Sequence, residues 1–300
     1  MIYNVRQLSR RTLDIMFKMH VRSCIDYCIQ VFGPSLNLTQ IDKLDKLQYR
    51  AARIATMAMK FTSKQKLFIE LGWESIEKRI EYLSLCLFHK IHIHETRAQI
   101  RQCLPPVNQY PNFTRSNKHY SSYPETNTDF CNSFFPKIST LWSNLPFNMR
   151  NLDMFDFKIQ LGLLIKPHKN KLLSIGSRFG NSLHTQLRLG RSQLNDHLFS
   201  VRLSPTTKCL CGSLETTEHL FHDCFLYDVE RKVLLSELPG VLEKRIDKYS
   251  RRELTQILLY GEHSENPEKY QHNKILFRYV QKFLIQTKRL VYKSKLQYVP

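Results

Sequence analysis

Residues 209–224 read CLCGSLETTEHLFHDC and combine three cysteines with two histidines in a short span. Three thiolates and one imidazole are the ligand set of a closed, tetrahedral zinc site of the structural kind. The C-x-C…H-x4-C spacing therefore predicts a zinc site with these four ligands: Cys209, Cys211, His219 and Cys224. His222 is the substitute ligand if His219 faces away from the metal. The alternative is three core cysteines beside a surface histidine.

The local sequence also supports a shared ion. Gly212 follows Cys211 and allows the tight turn that brings two thiolates to one metal. His219 and Cys224 are separated by a little more than one helical turn, so both can return to the same ion. A site closed by four protein ligands leaves no open position for a catalytic water.

The composition predicts a folded chain with a basic surface. The 300 residues are 42% hydrophobic and 11% aromatic, which is enough for one large domain or two smaller ones and excludes wholesale disorder. The low numbers of glycines (9) and prolines (12) argue against a turn-rich all-β protein. The 45 Lys and Arg against 26 Asp and Glu give a net charge of +19, which favours a polyanionic partner such as nucleic acid.

No targeting or membrane segment is evident. The chain has no run of about 18 uncharged apolar residues, so we expect no membrane partner. Its first residues, MIYNVR, lack the apolar core of a signal peptide. We expect an intracellular protein, in the nucleus or the cytoplasm, whose 8 cysteines are reduced.

Apolar residues recur at three- and four-residue spacing over much of the chain, which predicts a mainly α fold. We predict helices over the ranges 10–33, 39–61, 63–70, 75–93, 137–144, 153–164, 226–238, 250–260 and 270–296. The last of these is an amphipathic, basic helix, because no acidic residue follows Glu268.

Basic residues lie on one face of two predicted helices. In the second helix they are Lys43, Lys46, Arg50 and Arg53; in the last they are Lys274, Arg278, Lys282, Arg289 and Lys293. Together with Arg188 and Arg191, these residues are the candidate contacts to nucleic acid. A solvated face on a docked terminal helix is the alternative for the last set.

The sequence contains no recognisable catalytic set. We find no G-x-x-x-x-G-K-[ST], G-x-G-x-x-G or G-x-S-x-G motif. Phosphoryl transfer by two metals needs several converging carboxylates, which a basic chain does not obviously supply.

Three stretches carry a family resemblance by their order. The first is KLQYRAARI at 46–54 with LGWESIEKR at 71–79, the second is LWSNLP at 141–146, and the third is RLGRSQLNDHLF at 188–199 followed by the cysteine cluster. In this order they resemble the C-terminal part of a reverse transcriptase from a non-LTR (LINE-type) retrotransposon. The third stretch is the most specific of the three.

The sequence predicts a division into four regions, of which the resemblance implies the identity of the thumb-like and the zinc-binding ones. Residues 1–104 would be a helical, thumb-like region, 105–177 a linker with short helices, 178–238 a small α-rich zinc-binding domain and 239–300 a C-terminal helical extension. The Tyr-x-Asp-Asp motif of the family's palm is missing, and the chain has no Asp-Asp pair at all. We therefore expect a truncated, non-catalytic fragment that binds RNA or DNA, with a polymerase core in trans as a further partner. The alternative is an inert or interaction-only helical protein derived from a decayed element.

This interpretation predicts that the purified chain does not copy RNA. Primer extension on an RNA template, with magnesium or manganese supplied, should give no product above background because the palm carboxylates are missing. Metal-dependent extension that co-purifies with the chain through successive columns would contradict the prediction.

Overall fold

A computed structural model describes residues 8–93, 97–105, 120, 123, 127–167, 170–242, 244–262 and 267–290. This part of the chain is mainly helical, as predicted, and contains no β-strand; Lys208 and Leu214 form an isolated antiparallel bridge. The proline-rich part of the predicted linker, residues 106–119, lies outside the described residues.

The helices of the described residues occur in all nine predicted ranges and also where none was predicted, as at Arg178–Arg188. They are α1 Arg10–Met16, α2 Ser23–Asp26, α3 Ile29–Phe32, α4 Leu38–Thr56, α5 Lys64–Leu71, α6 Ile76–His92, α7 Ala98–Arg101, α8 Thr128–Cys131, α9 Phe134–Ser143, α10 Phe147–Arg150, α11 Met154–Ile165, α12 Arg178–Arg188, α13 Asn195–Phe199, α14 Thr217–His222, α15 Asp228–Glu237, α16 Arg251–Tyr260 and α17 Pro267–Gln286. Residues Phe17–Arg22 form a π-helix between α1 and α2, and short 3-10 turns cover Gly33–Ser35, Lys171–Ser174, Phe225–Tyr227 and Ile246–Lys248.

Three predicted helices differ from the structure. The one predicted over 39–61 ends at Thr56, and Met57 directly after it has a φ of 54°. The predicted helix over 10–33 is interrupted because Cys28 adopts a left-handed conformation with a φ of 56°, which no α-helix accommodates. The terminal helix ends at Gln286 rather than at residue 296, and Lys288 just beyond it has a φ of 53°. Arg289 therefore does not lie on this helix.

The described residues belong to two units. The first unit comprises residues 16–49 and 72–168, and the second comprises residues 1–15, 50–71 and 169–300. This division differs from the predicted regions, because residues 50–71 group with the later part of the chain and not with the rest of 1–104. The helices predicted within 105–177 are present, but residues 134–161 contribute to a hydrophobic core and do not act as a linker.

The first unit is built around α6. Its face presents Phe88 and His89, both fully buried, to Trp142 of α9 and Phe157 of α11. The His89 ring stacks on the Phe157 ring at 4.0 Å, and its Nε2 lies 2.9 Å from the carbonyl oxygen of Leu152. The core of this unit is therefore aromatic and holds α6, α9 and α11 together.

The second unit is built around α12 and α17. Their apolar faces share a core that includes Leu183 and Leu187 from α12, and Phe277 and Phe283 from α17. A Cβ atom at Gly180 would lie 2.9 Å from the Cβ of Gln281, so the glycine permits the close approach of the two helices.

A buried charge cluster joins distant segments of the second unit. The Glu70 carboxylate accepts hydrogen bonds from Arg10 at 3.0 Å and from Arg188 at 2.6 Å. Arg10 also donates to the carbonyl oxygen of Leu173, and Thr185 donates to Glu70 at 3.2 Å. Burial opposes the ionisation of Glu70, but attraction to Arg188 and Arg10 outweighs it and holds the pKa of the carboxyl below its usual value.

Removing this carboxylate should destabilise the second unit strongly. Glu70→Gln removes the carboxylate that two buried guanidinium groups share, and we expect it to lower the free energy of unfolding by about 3–5 kcal/mol. Urea denaturation followed by circular dichroism would measure the change. The matched control is Lys232→Gln, which removes an exposed helical ion pair with Asp228 and should cost less than about 0.5 kcal/mol.

The pH dependence of this difference follows from the depressed pKa. A carboxyl group whose pKa is lowered by folding stabilises the native state above its unfolded pKa and loses that contribution as the pH falls. The difference in the free energy of unfolding between the parent and Glu70→Gln should therefore become smaller as the pH falls below the ordinary pKa range of glutamate. A gap of equal size at neutral and strongly acidic pH would contradict this assignment.

Candidate metal centre and basic surface

The first two cysteines lie on a tight turn. The backbone N–H of Cys209 donates to the carbonyl oxygen of Ser213 at 2.7 Å, and the N–H of Gly212 donates to that of Cys209 at 2.9 Å. Gly212 has a φ of 94°, a conformation that residues with a Cβ rarely adopt. The glycine thus turns the chain so that both thiols lie on the same side, as the sequence predicts.

Of the other two ligands, His219 lies within the short capped helix α14 and Cys224 lies just beyond its C-terminus. Thr216 caps α14 by accepting a hydrogen bond from the N–H of His219 at 3.1 Å. The N–H of Cys224 in turn donates to the carbonyl oxygen of His219 at 2.9 Å, directly after the helix ends. These bonds bring the imidazole and the third thiol to the same side of the helix end.

The four side chains converge on one point. The ligand atoms of Cys209, Cys211, His219 and Cys224 all lie within 4.8 Å of one another. The Sγ atoms of Cys209 and Cys224 are 3.7 Å apart, and the Sγ of Cys211 is 3.1 Å from Nε2 of His219. The substitute ligand His222 is not part of the cluster, because its Nε2 lies 2.8 Å from the hydroxyl of Thr255. The predicted cluster is confirmed as a group that can hold a metal ion.

The environment of the thiols differs across the cluster. Burial raises the pKa of the Cys209 thiol to about 12 and also raises the pKa of the Cys224 thiol. Burial opposes ionisation of Cys211 too, but hydrogen bonds from Ser213 and Cys209 lower the pKa of that thiol below its usual value. Metal binding requires thiolates, so a bound cation would supply the charge that the buried site otherwise lacks.

A buried carboxylate holds the metal-binding turn in place. Glu215, which is 2% exposed, accepts hydrogen bonds from the backbone N–H of Asn195 at 2.6 Å and from Arg289 at 2.5 Å. This bond pair links the turn to the start of α13 and to the segment after α17. Sequence reasoning missed this role of Glu215, because nothing in the local pattern separates it from a surface acid.

Two predicted nucleic-acid contacts are wrong because their side chains are buried in ion pairs. Arg188 is engaged by Glu70 and its side chain is 1% exposed, while Arg289 is paired with Glu215 and its side chain is 14% exposed. Neither guanidinium is free to reach a phosphate. A buried arginine and a surface arginine look alike in sequence when the acidic partner is more than seventy residues away.

The remaining predicted contacts have varied surroundings. On α4, Lys43, Lys46 and Arg50 are exposed and Arg53 is half-buried. Lys46 pairs with Asp42 at 2.7 Å. Arg191 donates to the hydroxyl of Ser200 at 3.0 Å and is half-buried.

The predicted stripe on the last helix is present in part. Lys274, Arg278 and Lys282 succeed one another every four residues along α17, which keeps them on one side of the helix. Lys274 lies over the ring of Tyr270, and Lys282 pairs with Glu237 at 2.8 Å. Lys293 lies outside the described residues.

A cleft of about 540 Å³ lies beside this stripe. It is lined by Gly176, Ser177, Arg278, Gln281, Lys282, Ile285 and Gln286. Ser177 caps the N-terminus of α12, where backbone N–H groups favour an anion. Arg278 is exposed, and no acidic side chain of the described residues pairs with it. The Gly-Ser pair that precedes α12 is a helix-start signal that sequence reasoning did not use.

The chain has no match among known proteins: comparison with family profiles, with curated proteins and with solved structures finds none. In the described ranges, no helix is both long enough and apolar enough to cross a lipid bilayer.

The cluster predicts one tightly bound divalent metal ion per chain. Elemental analysis of the purified protein should find about one equivalent, and Cys211→Ser should lose it because serine provides no thiolate. Hydrogen exchange should then increase in residues 195–224, whose turn and short helix depend on the ion.

The matched control for this experiment is Cys24→Ser. Cys24 is an exposed thiol that donates to the carbonyl oxygen of His20, a bond that a serine hydroxyl can also make. Metal content and exchange should be unchanged in this variant. A parent protein without metal after folding in the presence of zinc, iron and nickel salts would refute the site.

Proposed function

We propose that the chain is a non-catalytic nucleic-acid-binding protein with a structural zinc site. The observation that carries this proposal is the cleft at the N-terminus of α12, which Arg278 and Lys282 line together with Ser177. Cationic side chains beside the N-terminus of a helix form a favourable binding site for a phosphate group.

Zinc is the metal that the donor set favours. Three sulfurs and one nitrogen form the Cys3His set of structural zinc sites, whereas magnesium and calcium prefer oxygen ligands. Two thiolates bound to one zinc ion at about 2.3 Å in tetrahedral geometry lie about 3.8 Å apart. The 3.7 Å between the Sγ atoms of Cys209 and Cys224 fits this value. To complete the set, His219 must move a few tenths of an ångström away from Cys211, and the ligand atoms that are farthest apart, at up to 4.8 Å, must approach one another.

The charge distribution supports a nucleic acid as the partner. The net charge of +19 is large, and each phosphate that a cation neutralises releases a counterion. Lys274, Arg278 and Lys282 are spaced by about 6 Å along the axis of α17 and present a row of cations to a phosphate backbone. Such contacts carry no sequence information, so we infer binding with little sequence preference.

The order of the three sequence stretches and of the metal ligands supports an origin in a non-LTR retrotransposon reverse transcriptase. On this proposal the chain corresponds to the part of the enzyme that follows the palm and ends in a zinc-binding domain. A polymerase core supplied in trans is then a natural protein partner.

One feature of the first unit favours a second candidate function, an interaction protein. Phe155, Ile159 and Leu163 form an apolar row on α11 and are 73%, 46% and 75% exposed. An exposed row of this kind on a helix is typical of a surface that contacts another protein. Failure to bind nucleic acid would leave this function as the better candidate.

Nucleic-acid binding should depend on salt and on the α17 stripe. Fluorescence anisotropy with a labelled oligonucleotide should give an affinity that falls steeply with salt, with a slope of about −0.7 per phosphate contact on single strands and about −0.9 on duplex DNA. Changing Lys274, Arg278 and Lys282 together to Glu should weaken binding and flatten the slope by about three contacts.

The control variant changes the same charge elsewhere on the second unit. Lys232, Arg245 and Lys248 are exposed, lie outside the cleft and are changed together to Glu. The control should reduce affinity less and leave the slope closer to that of the parent. Equal effects of the two triple variants would mean that only net charge matters, and no binding by the parent at low salt would refute the proposed function.

A further inference from the structure

A second concave surface of the second unit lies between α13 and the metal-binding turn. It has a volume of about 620 Å³ and is lined by Phe199, Ser200, Arg202, Leu203, Ser204 and Pro205. Its lining combines an aromatic ring, an arginine and two hydroxyl groups. No residue of this set belongs to the metal site or to the cleft at α17.

The backbone builds this surface through the end of α13. The N–H of Leu203 donates to the carbonyl oxygen of Leu198, and the N–H of Arg202 donates to that of Phe199, both at 2.9 Å. This pair of bonds defines a Schellman cap, in which the residue with a left-handed conformation is usually glycine. Here the residue is Arg202, with a φ of 59°. The cap joins the backbone of Phe199 to that of Arg202 by a hydrogen bond, and both residues line the concavity.

The aromatic ring is unusually accessible for a residue at a helix end. Phe199 is 50% exposed, whereas its neighbour Leu198 is 3% exposed and anchors α13 in the core. The apolar surface of Phe199 thus faces the concavity rather than the protein interior. A large flat ring beside Leu203 and Pro205 is suited to contact a planar, uncharged group.

The two arginines at the concavity favour a ligand with a negative charge next to this planar group. Arg202 is exposed, and no acidic side chain of the described residues pairs with it. Arg191 donates to the hydroxyl of Ser200 at 3.0 Å and adds a second positive charge at the edge. The hydroxyls of Ser200 and Ser204 have lone pairs left to accept hydrogen bonds.

We propose that this concavity is a nucleobase-binding site, in which one unpaired base stacks on Phe199 and Arg202 contacts the adjoining phosphate. The inference rests on the proposed nucleic-acid binding and narrows it to single strands or unpaired ends, because a base within a duplex cannot leave the stack without cost. Stacking on an aromatic ring accepts any base, which agrees with binding that has little sequence preference.

The test compares two probes that carry the same phosphates. Anisotropy is measured with the full-length, metal-loaded chain, using fluorescein-labelled oligothymidylate of about twelve nucleotides and an abasic deoxyribose-phosphate strand of equal length. The parent should bind the oligothymidylate more tightly. Phe199→Ala should weaken that binding by about 5- to 150-fold, the range that corresponds to stacking of one base. It should leave the abasic strand and the salt slope unchanged.

Two further variants separate stacking from other effects. Phe199→Trp should retain binding, and its indole fluorescence should be quenched by oligothymidylate but not by the abasic strand. Phe225→Ala is the matched control, because Phe225 is 68% exposed in the same unit but does not line the concavity. Its affinity for both strands should equal that of the parent.

The outcomes distinguish this inference from the proposed function. Equal affinity of the parent for the two strands, or a Phe199→Ala variant that binds oligothymidylate like the parent, would overturn the base site while leaving phosphate binding intact. Equal weakening of both strands by Phe199→Ala would also overturn it, since stacking cannot act on an abasic strand. A parent that binds neither strand at low salt would overturn both.

Discussion

The second unit depends on one buried carboxylate, that of Glu70. It lies on α5 and pairs with both Arg10 of α1 and Arg188 of α12, so three segments far apart in sequence share one electrostatic contact. Removing the Glu70 carboxylate would leave the two guanidinium groups desolvated and without their shared partner. This costs more free energy than the ion pairs themselves contribute to stability. This contact helps to fix the position of α12, and the cleft beside α17 includes Ser177 at the start of α12.

A second buried carboxylate, that of Glu215, holds the segment between α12 and the metal centre. After Arg188 the chain turns at Gly190 and enters α13, whose first N–H donates to Glu215. Arg289 completes that contact from the far end of the chain. One carboxylate therefore fixes α12, and another fixes the turn that carries Cys209 and Cys211. Both carboxylates are buried, so these ion pairs help to position the segments that carry the metal ligands.

Local signals were enough to predict the longer periodic helices and the metal ligands, but not α12, whose start signal at Gly176 and Ser177 was not used. The periodicity of α6 and α17 and the cysteine spacing involve residues that are near in sequence, and their physical cause is local. The nucleic-acid contacts were predicted less well, because exposure depends on tertiary partners. Arg188 was assigned to the surface because its partner Glu70 lies more than one hundred residues earlier and no local pattern connects the two. Likewise, no sequence pattern indicates that Arg202 adopts a left-handed conformation at the end of α13.

The buried charges also decide where the excess positive charge lies. Among the described residues the buried bases are Arg10, Arg22, Arg150, Arg188 and Arg231, and the buried acids are Asp14, Asp45, Glu70, Glu74 and Glu215. The two sets are equal in number, so the interior is neutral overall. The net charge of +19 is therefore carried by the remainder of the chain, where solvent and counterions reach it. Part of this remainder still has a structural role, because the half-buried Arg79 and Arg289 pair with the buried acids Glu74 and Glu215. Charge of this size on the outside repels itself and disfavours the compact state unless a polyanion or salt offsets it.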